Sequence, residues 1–280
     1  MIRRDHNTVV IGQYNVKNLF DDKDQNAQLG TVQKPRKELE ALARTIKNSG
    51  AEIVTMQEVE NKEVLQQFVD EYLPDFGNVV LVEGNDKRGI DVAVISKHEV
   101  TNVVSHAANT FPDSEGKEMQ FNRDLLRVDV DVKGYPLSIF TSHFKSKRGG
   151  EWSTIERIGE ARETRRILKE EMGDWSKSNF VVTGDLNDTP GSRPINELRF
   201  GSAGRSKQSK RQGAEPALRS TLERLPAKER NTWPSKGPKE QIDYILYPEH
   251  MEDNLIGTRV WRDKVASDHC MVTAEFSLTA

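Results

Sequence analysis

Short apolar runs rich in β-branched residues, each bounded by Gly, Asp, Asn or Pro, recur along the whole chain. TVVIGQYNV, AEIVTMQEV, NVVLVEG, IDVAVIS, LLRVDVDV, LSIFTSHF, NFVVTGDLN, IDYILY and CMVTAEFSL each read as a strand. LLRVDVDV alternates apolar and polar positions cleanly, which predicts a strand with one wet face. Between some of these runs the period becomes helical. In RKELEALARTIKNSG, Leu39, Leu42, Ala43 and Ile46 form one stripe and Gly50 stands where a helix cap belongs. Val64, Leu65, Phe68 and Tyr72 form a second stripe, stopped by Pro74. After GGEWS, a longer segment sets Ile155, Ile158, Ala161, Arg165 and Leu168 in helical register, and its basic cluster Arg162, Arg165 and Arg166 is expected on a solvated helix face.

The order is strand, helix, strand, helix, then several strands with no room for helices, then helix and strands again. A purely parallel doubly wound sheet does not fit the 79–144 stretch, whereas mixed sheets in a layered α/β domain do. No Pro- or Ser-rich linker divides the chain, so one domain over residues 1–280 is expected. FPDSEGKEMQFNRD reads as a loop between two strands. A flexible basic loop is expected at 201–216, where Arg205, Lys207, Lys210 and Arg211 stand among Gly and Ser.

Composition narrows the function classes. With 280 residues, 35% hydrophobic and 30% charged, the chain is that of a water-soluble globular protein. A formal net charge of −3 provides no global cationic field, so a polyanion must be held by a local basic patch or by bound cations. The single cysteine, Cys270, excludes an internal disulfide and any Cys-rich zinc or iron–sulfur site. No stretch approaches membrane-spanning length, so no membrane insertion is expected. The opening MIRRDHNTVVIGQYNV lacks the apolar core of a secretion signal. A cytoplasmic location is expected if the chain is complete, and a secreted one if a leader was removed.

Several predicted strands end in acids or amides, Asn15, Glu58 and Asp185 with Asn187 two positions on, and LSIFTSH ends at His143. Asp243 opens the run DYILY, and Asp268 and His269 precede the last strand. A hard divalent cation takes carboxylate and amide oxygens, which Glu58, Asp185, Asn187 and Asp268 supply. The scarce histidines stand beside acids able to orient an imidazole and tune its proton affinity. Metal ligands, a water-activating group and a charge-stabilising imidazole together suit phosphoester hydrolysis. In VVTGDLNDTP, strand alternation would point Asp185 and Asn187 the same way and Asp188 away.

QYNV, MQEVEN, RGIDVAVIS, FNRD, TSHFKS, VVTGDLND, QIDYIL and ASDHCMV occur in the order found in the endonuclease/exonuclease/phosphatase superfamily, and over about residues 9 to 277 the chain resembles that deoxyribonuclease-I-like group. The resemblance implies a four-layered α/β sandwich, two packed mixed β-sheets flanked by helices, with the site built from strand-end loops. It implies Glu58 as the principal magnesium ligand, supported by Asn15 and Asp268. Asp185 and Asn187 resemble the pair that orients the nucleophilic water and contacts the phosphate, and they join the ligand set if two ions bind. His269 resembles the histidine acting on a phosphoryl oxygen, with Asp243 as its carboxylate partner. His143 resembles the second histidine of the deoxyribonuclease branch, and Arg123 that branch's phosphate-contacting arginine. The abasic-site repair branch has a tyrosine where TSHFKS places His143, which argues against that specialised role.

Magnesium is the implied cofactor, with manganese as its substitute, as one ion or two, and a structural calcium site is left open. The implied reaction is in-line attack of water on the phosphoester, without a covalent intermediate. Arg123, Lys145, Lys147 and Arg148 lie close in sequence to the site residues, and Lys145 and Arg148 join Arg123 as expected substrate-binding residues. The leading reading is a nuclease that contacts the DNA backbone with little sequence preference and works as a monomer without a protein partner. A phosphatase or phosphodiesterase for a small or lipid phosphoester is the alternative, and a non-catalytic binding protein a third reading. Asp91, Trp233 and Trp261 are each readable either as structural or as flanking the substrate.

Overall fold

The structure is a computed structural model that describes residues 7–23, 31–201, 216–234 and 238–278. Arg205, Lys207, Lys210 and Arg211 of the expected basic loop lie outside the described residues. The chain runs β1 (Thr8–Leu19), α1 (Arg36–Ser49), β2 (Ile53–Val59), α2 (Lys62–Tyr72), β3 (Asn78–Leu81), β4 (Asp91–Ser96) and β5 (Glu99–Ser105). A small ribbon of β6 (Phe111–Pro112) and β7 (Glu118–Met119) follows, then β8 (Leu125–Val132), β9 (Tyr135–His143) and α3 (Glu151–Met172). The remainder is β10 (Phe180–Asp185), α4 (Arg193–Phe200), β11 (Leu218–Ser220), β12 (Asp243–Pro248), β13 (Leu255–Trp261) and β14 (Met271–Ser277).

Among the described residues two six-stranded sheets result, in the orders β13-β14-β1-β2-β4-β3 and β11-β12-β10-β9-β8-β5. Each has one parallel pair, β1 with β2 and β9 with β10, among antiparallel neighbours, so both sheets are mixed as expected. The layers are helix, sheet, sheet, helix. Leu42 and Ile46 of α1 and Leu65 and Phe68 of α2 pack on Tyr14, Val54 and Ile95 of the first sheet. Leu168 of α3 and Ile195 and Leu198 of α4 pack on Phe140, Phe180 and Leu246 of the second. Ile11, Ile53 and Val94 meet Val128, Ile139, Val181 and Ile245 between the sheets.

Along five strands the inter-sheet face changes character at one end. Val9 and Ile11 give way to Gln13 and Asn15 on β1, and Ile53 to Thr55 and Gln57 on β2. Leu137 and Ile139 give way to Thr141 and His143 on β9, Val181 to Thr183 and Asp185 on β10, and Tyr247 and Ile245 to Asp243 on β12. The sheets therefore enclose oil at one end and polar groups at the other. The buried polar groups pair across the gap: Gln13 Nε2 donates to Asp243 at 3.0 Å and Gln57 Nε2 to the Thr141 hydroxyl at 3.3 Å.

The elements the pattern missed lie mostly at edges. β5 is largely exposed and closes one side of the second sheet, while β13 is half-exposed and closes one side of the first, so neither carries a buried apolar run. FPDSEGKEMQFNRD holds the ribbon of β6 and β7 rather than loop alone. β8 alternates as expected, with Leu126, Val128, Val130 and Val132 buried and Arg127, Asp129 and Asp131 half-exposed. Arg165 departs from the expected solvated face. α4 crosses α3 there, and the buried guanidinium donates to the Leu198 carbonyl at 3.0 Å and the Pro216 carbonyl at 2.6 Å. Arg162 and Arg166 remain at the surface, paired with Glu197 and with Glu163 and Glu170. No helix among the described residues is long and apolar enough to cross a membrane.

Candidate active site

Strand register assembles the site. Asp185 is paired with His143 on one side and Asp243 on the other, so three adjacent strands of the second sheet end at one level. Such close stacking needs Gly184, because a Cβ there would lie 2.0 Å from the Ser142 carbonyl oxygen and the residue has φ 148°. The first sheet contributes Asn15, aligned with Gln57 beside Glu58, and the turn before β14 contributes Asp268 and His269. The Ser267 hydroxyl fixes that turn, donating to the Asn15 carbonyl at 2.8 Å and accepting from the His269 N–H at 3.1 Å.

The Asp185 carboxylate is the hub. Its Oδ2 accepts from Asn15 Nδ2 at 3.0 Å and lies 3.5 Å from His143 Nε2 and 3.7 Å from His269 Nε2. Asn15, fully buried, also donates to Glu58 at 3.2 Å, so one amide spaces the two acids. His269 Nδ1 stands 3.0 Å from Asp243 Oδ2, and Asp243 is itself buried under Gln13.

These contacts divide the proton affinities. Burial alone would depress the His269 imidazolium, but Asp243 and Asp185 outweigh it and hold the ring at about 10. Burial pushes Asp185 up to about 7, against the pull of His269 and the Asn15 amide. His143 is held well below its ordinary value by burial and by Arg123, His269 and Arg88, so it stands as neutral imidazole. The centre thus carries an imidazolium, a neutral imidazole and a carboxylate poised near neutrality.

A cavity of ≈ 450 Å³ opens above this floor, lined by Glu58, Arg123, His143, Asp185, Asn187, Arg148, Asp268 and His269 among the expected residues. Asn15 and Asp243 lie beneath it. Lys145 is placed differently: its ammonium reaches Asn122 at 3.2 Å and Glu156 at 3.4 Å and is absent from the cavity lining. Asn187 faces the cavity through a turn rather than by strand alternation, because β10 ends at Asp185 and Asn187 has φ 52°. Its N–H donates to Asp185 at 2.9 Å and its amide to the Phe144 carbonyl at 2.9 Å. Asp188 turns away as expected, pairing with Arg157 at 3.0 Å.

Lys17, Asn18 and Arg88 also line the cavity and were not named from sequence, as do Lys147, noted for its place beside the site residues, and Trp233, readable either way. Four of the five described non-glycine residues with positive φ are Lys17, Asn18, Glu58 and Asn187, all on this wall. Strained backbone of this kind concentrates where side-chain placement matters more than local comfort. Arg123 is buried, anchored by Asp86 at 2.7 Å, with Nε and Nη1 lacking a protein partner among the described residues. Both nitrogens are shut off from solvent, so Arg123 meets the cavity with its charge rather than with these donors. Trp233 Nε1 donates to Asp268 at 3.4 Å, and the ring lies 6.2 Å from that of His269. Trp261 lies away from the site, donating to the Thr273 hydroxyl at 2.9 Å under a stacked Arg259. Asp91 lines a neighbouring cavity and accepts from the Gly84 N–H at 2.7 Å.

Asp185, Asp243 and His269 offer ligand atoms within 4.8 Å of one another, close enough to share a divalent cation. Glu58 and Asp268 add carboxylates on the same cavity. The carboxylate oxygens fit a hard divalent ion, whereas His269 as imidazolium has no lone pair to give, and among the described residues no thiolate joins them.

A family model described as the Endonuclease/Exonuclease/phosphatase family matches residues 10–247. The chain belongs to that family and is a metal-dependent phosphoric ester hydrolase. No curated protein matches the sequence. Among solved structures, the human Nocturnin catalytic domain with bound sulfate anion is similar at 16% identity and TM-score 0.65, over 98% of this chain and 94% of that one. Danio rerio (D. rerio) TDP2 complexed with single strand DNA product is similar at 16% identity and TM-score 0.61, over 96% and 99%. A family protein from Leptotrichia buccalis C-1013-b is similar at 15% identity and TM-score 0.64, over 96% and 99%. At such identities the likeness is one of fold.

Proposed function

We propose that this protein is a magnesium-dependent phosphodiester hydrolase that cuts DNA with little sequence preference. The observation that carries the reading is the cationic wall of an acidic centre. Lys17, Arg88, Arg123, Lys147 and Arg148 line the same cavity as Asp185 and His269, in a chain whose net charge is −3. Such a wall holds backbone phosphates by charge, and phosphate contacts carry no base information. The similarity in fold to a TDP2 structure holding a single-stranded DNA product accords with this substrate class.

Glu58 and Asp268 would hold magnesium, which when bound supplies positive charge to the phosphoryl oxygens. Asp185 accepts a proton from the attacking water, a role suited to a carboxylate held at about 7. The imidazolium of His269, kept charged by Asp243, donates to a phosphoryl oxygen as negative charge gathers there. The Asn187 amide and the charge of Arg123 on the cavity wall orient the phosphate. Water attacks phosphorus as the bond to the leaving oxygen breaks, and that oxygen leaves with a proton from solvent or His269.

The test is a substrate panel of supercoiled plasmid, linear duplex, single strand, RNA, abasic duplex and small phosphoesters, with magnesium, with manganese and with chelator. Metal-dependent cleavage of duplex DNA at unrelated sequences is the expected result. A rate on plasmid no higher than on a small phosphodiester would overturn the nuclease reading in favour of a small-phosphoester hydrolase.

A further inference from the structure

Behind the second sheet, α3 carries two buried charged side chains that the chemistry above does not use. Arg157 and Glu160 are one turn apart and face the roots of the site loops, each almost fully buried. Burying a guanidinium and a carboxylate in a helix interface is costly unless every polar atom finds a partner. Here most of the partners are on active-site loops.

Glu160 accepts from the Lys145 N–H at 2.8 Å with one oxygen. With the other it accepts from the Asn122 N–H at 3.2 Å and the Asn122 side-chain amide at 3.3 Å. Arg157 donates to the Lys145 carbonyl at 3.1 Å through Nη1 and to Asp188 at 3.0 Å through Nε. Its remaining donors go to Ser153 and Thr154 of its own helix. Lys145 is therefore gripped at both its N–H and its C=O by side chains one helical turn apart.

The grip leads to the reacting groups. The residue before Lys145 is Phe144, whose carbonyl accepts the Asn187 amide and whose N–H donates to the Asp185 carbonyl at 3.0 Å. The residue after Asn187 is Asp188, held by Arg157 on one side and on the other by the Tyr244 hydroxyl, which donates to its carbonyl at 2.8 Å. The residue after Asn122 is Arg123. Asn187 sits at positive φ, a conformation that local preference alone does not maintain.

We propose that Arg157 and Glu160 of α3 are positioning residues that together fix where Asn187 and Arg123 stand relative to Asp185. The inference rests on the hydrolytic reading of the site. A lysine at 157 keeps the charge but loses the fork that spans Lys145 and Asp188. A glutamine at 160 keeps one acceptor and turns an NH₂ toward a backbone N–H.

The variants Arg157→Lys and Glu160→Gln separate positioning from mere packing. Protein confirmed folded by near-UV circular dichroism, and assayed well below its melting temperature, is expected to lose about 10- to 100-fold in kcat on the best substrate of the panel. KM should move by less than about threefold, since Lys17, Arg88, Lys147 and Arg148 still hold the ground-state phosphates. Arg166→Gln, on the same helix but at the surface, should match the wild type. Amide hydrogen exchange gives a readout independent of turnover: peptides covering 143–146 and 186–190 should exchange faster in both variants, while β12 is unchanged. Tyr244→Phe, which removes the other hold on Asp188 together with a bond to the Gln241 carbonyl, stands in if either charged-site variant fails to fold.

Wild-type kcat in the folded variants, or unchanged exchange at both loops, would overturn the proposal. If the wild-type protein hydrolyses no phosphoester at all, the function proposed above fails. The exchange experiment then decides by itself whether α3 holds the two loops.

Discussion

Asp185 and His269 stand 3.7 Å apart with opposite protonation preferences, one carboxylate drawn up toward neutrality and one imidazolium held well above it. A rate that needs the first deprotonated and the second protonated falls on both sides of a plateau. Activity should decline below about pH 7 as Asp185 takes up its proton, and again above about pH 10 as His269 loses its own. His269→Gln should lower kcat by about 10²- to 10⁴-fold, remove the alkaline limb and shift the acidic one upward, because Asp185 loses the pull of the imidazolium. An alkaline limb that persists unchanged in His269→Gln would assign it to another group. The residue types at this centre were legible in the chain, because Asn15, Glu58, Asp185, Asp268 and His269 each stand at or beside the end of an apolar run. Their protonation states were not legible, since these depend on burial and on distances between strands far apart in sequence. Lys145 shows the limit from the other side. It lies two residues from His143, yet its ammonium turns toward Asn122 and Glu156, because the backbone there is fixed by α3.

At the scale of the element, β10 depends on Gly184 to approach β9. Gly184→Ala should cost about 3 kcal/mol or more, since its Cβ would meet backbone rather than a movable side chain. Chemical denaturation of the variant checks this, and a loss within about 0.5 kcal/mol would show that the strands can separate locally. β4 opens with Asp91, which burial, with Glu83, Asp86 and Asp124 nearby, raises to about 6 despite the Gly84 N–H. The sign follows from that direction: a carboxyl raised in the fold favours folding while protonated, and the benefit disappears as pH climbs through about 6. Asp91→Asn keeps an acceptor for Gly84. It should therefore be more stable than the wild type by about 1–3 kcal/mol at pH 8, with the gap closing near pH 4. Urea midpoints across that range decide it, and equal midpoints at pH 8 would remove the burial penalty from the account. Most elements were legible because a buried strand or helix repeats its apolar residues with its own period. β5 and β13 escaped because an edge strand partly facing water need not keep that period.

Over the whole molecule, a net charge of −3 coexists with a cavity lined by Lys17, Arg88, Arg123, Lys147 and Arg148. On the nuclease reading proposed above, DNA binding should therefore be strongly salt-dependent. A slope of about −3 to −4 in log K against log salt corresponds to roughly four neutralised phosphates. Arg148→Ala should reduce the slope by about one without changing sequence preference, as measured by fluorescence anisotropy with duplexes of unrelated sequence. A slope near zero would separate the cationic wall from any polyanion. Chelator should abolish hydrolysis, and added magnesium or manganese should restore it and raise the melting temperature, because a ligand of the folded state alone stabilises that state.

The sequence by itself determined the layered α/β fold, since alternation and helical period follow from which faces must be buried. It also determined the chemical vocabulary of the site. The odd-numbered positions of TVVIGQYN already pass from Val9 and Ile11 to Gln13 and Asn15, and LSIFTSH passes from Leu137 and Ile139 to Thr141 and His143. Tertiary structure alone decided that these polar ends meet at one level. Register between strands is set by pairing and by close approaches such as that at Gly184, and each contact joins residues distant in the chain. It likewise decided that a helix behind the sheet holds the loops, because Arg157 and Glu160 look like ordinary helix-surface charges until their partners are in place.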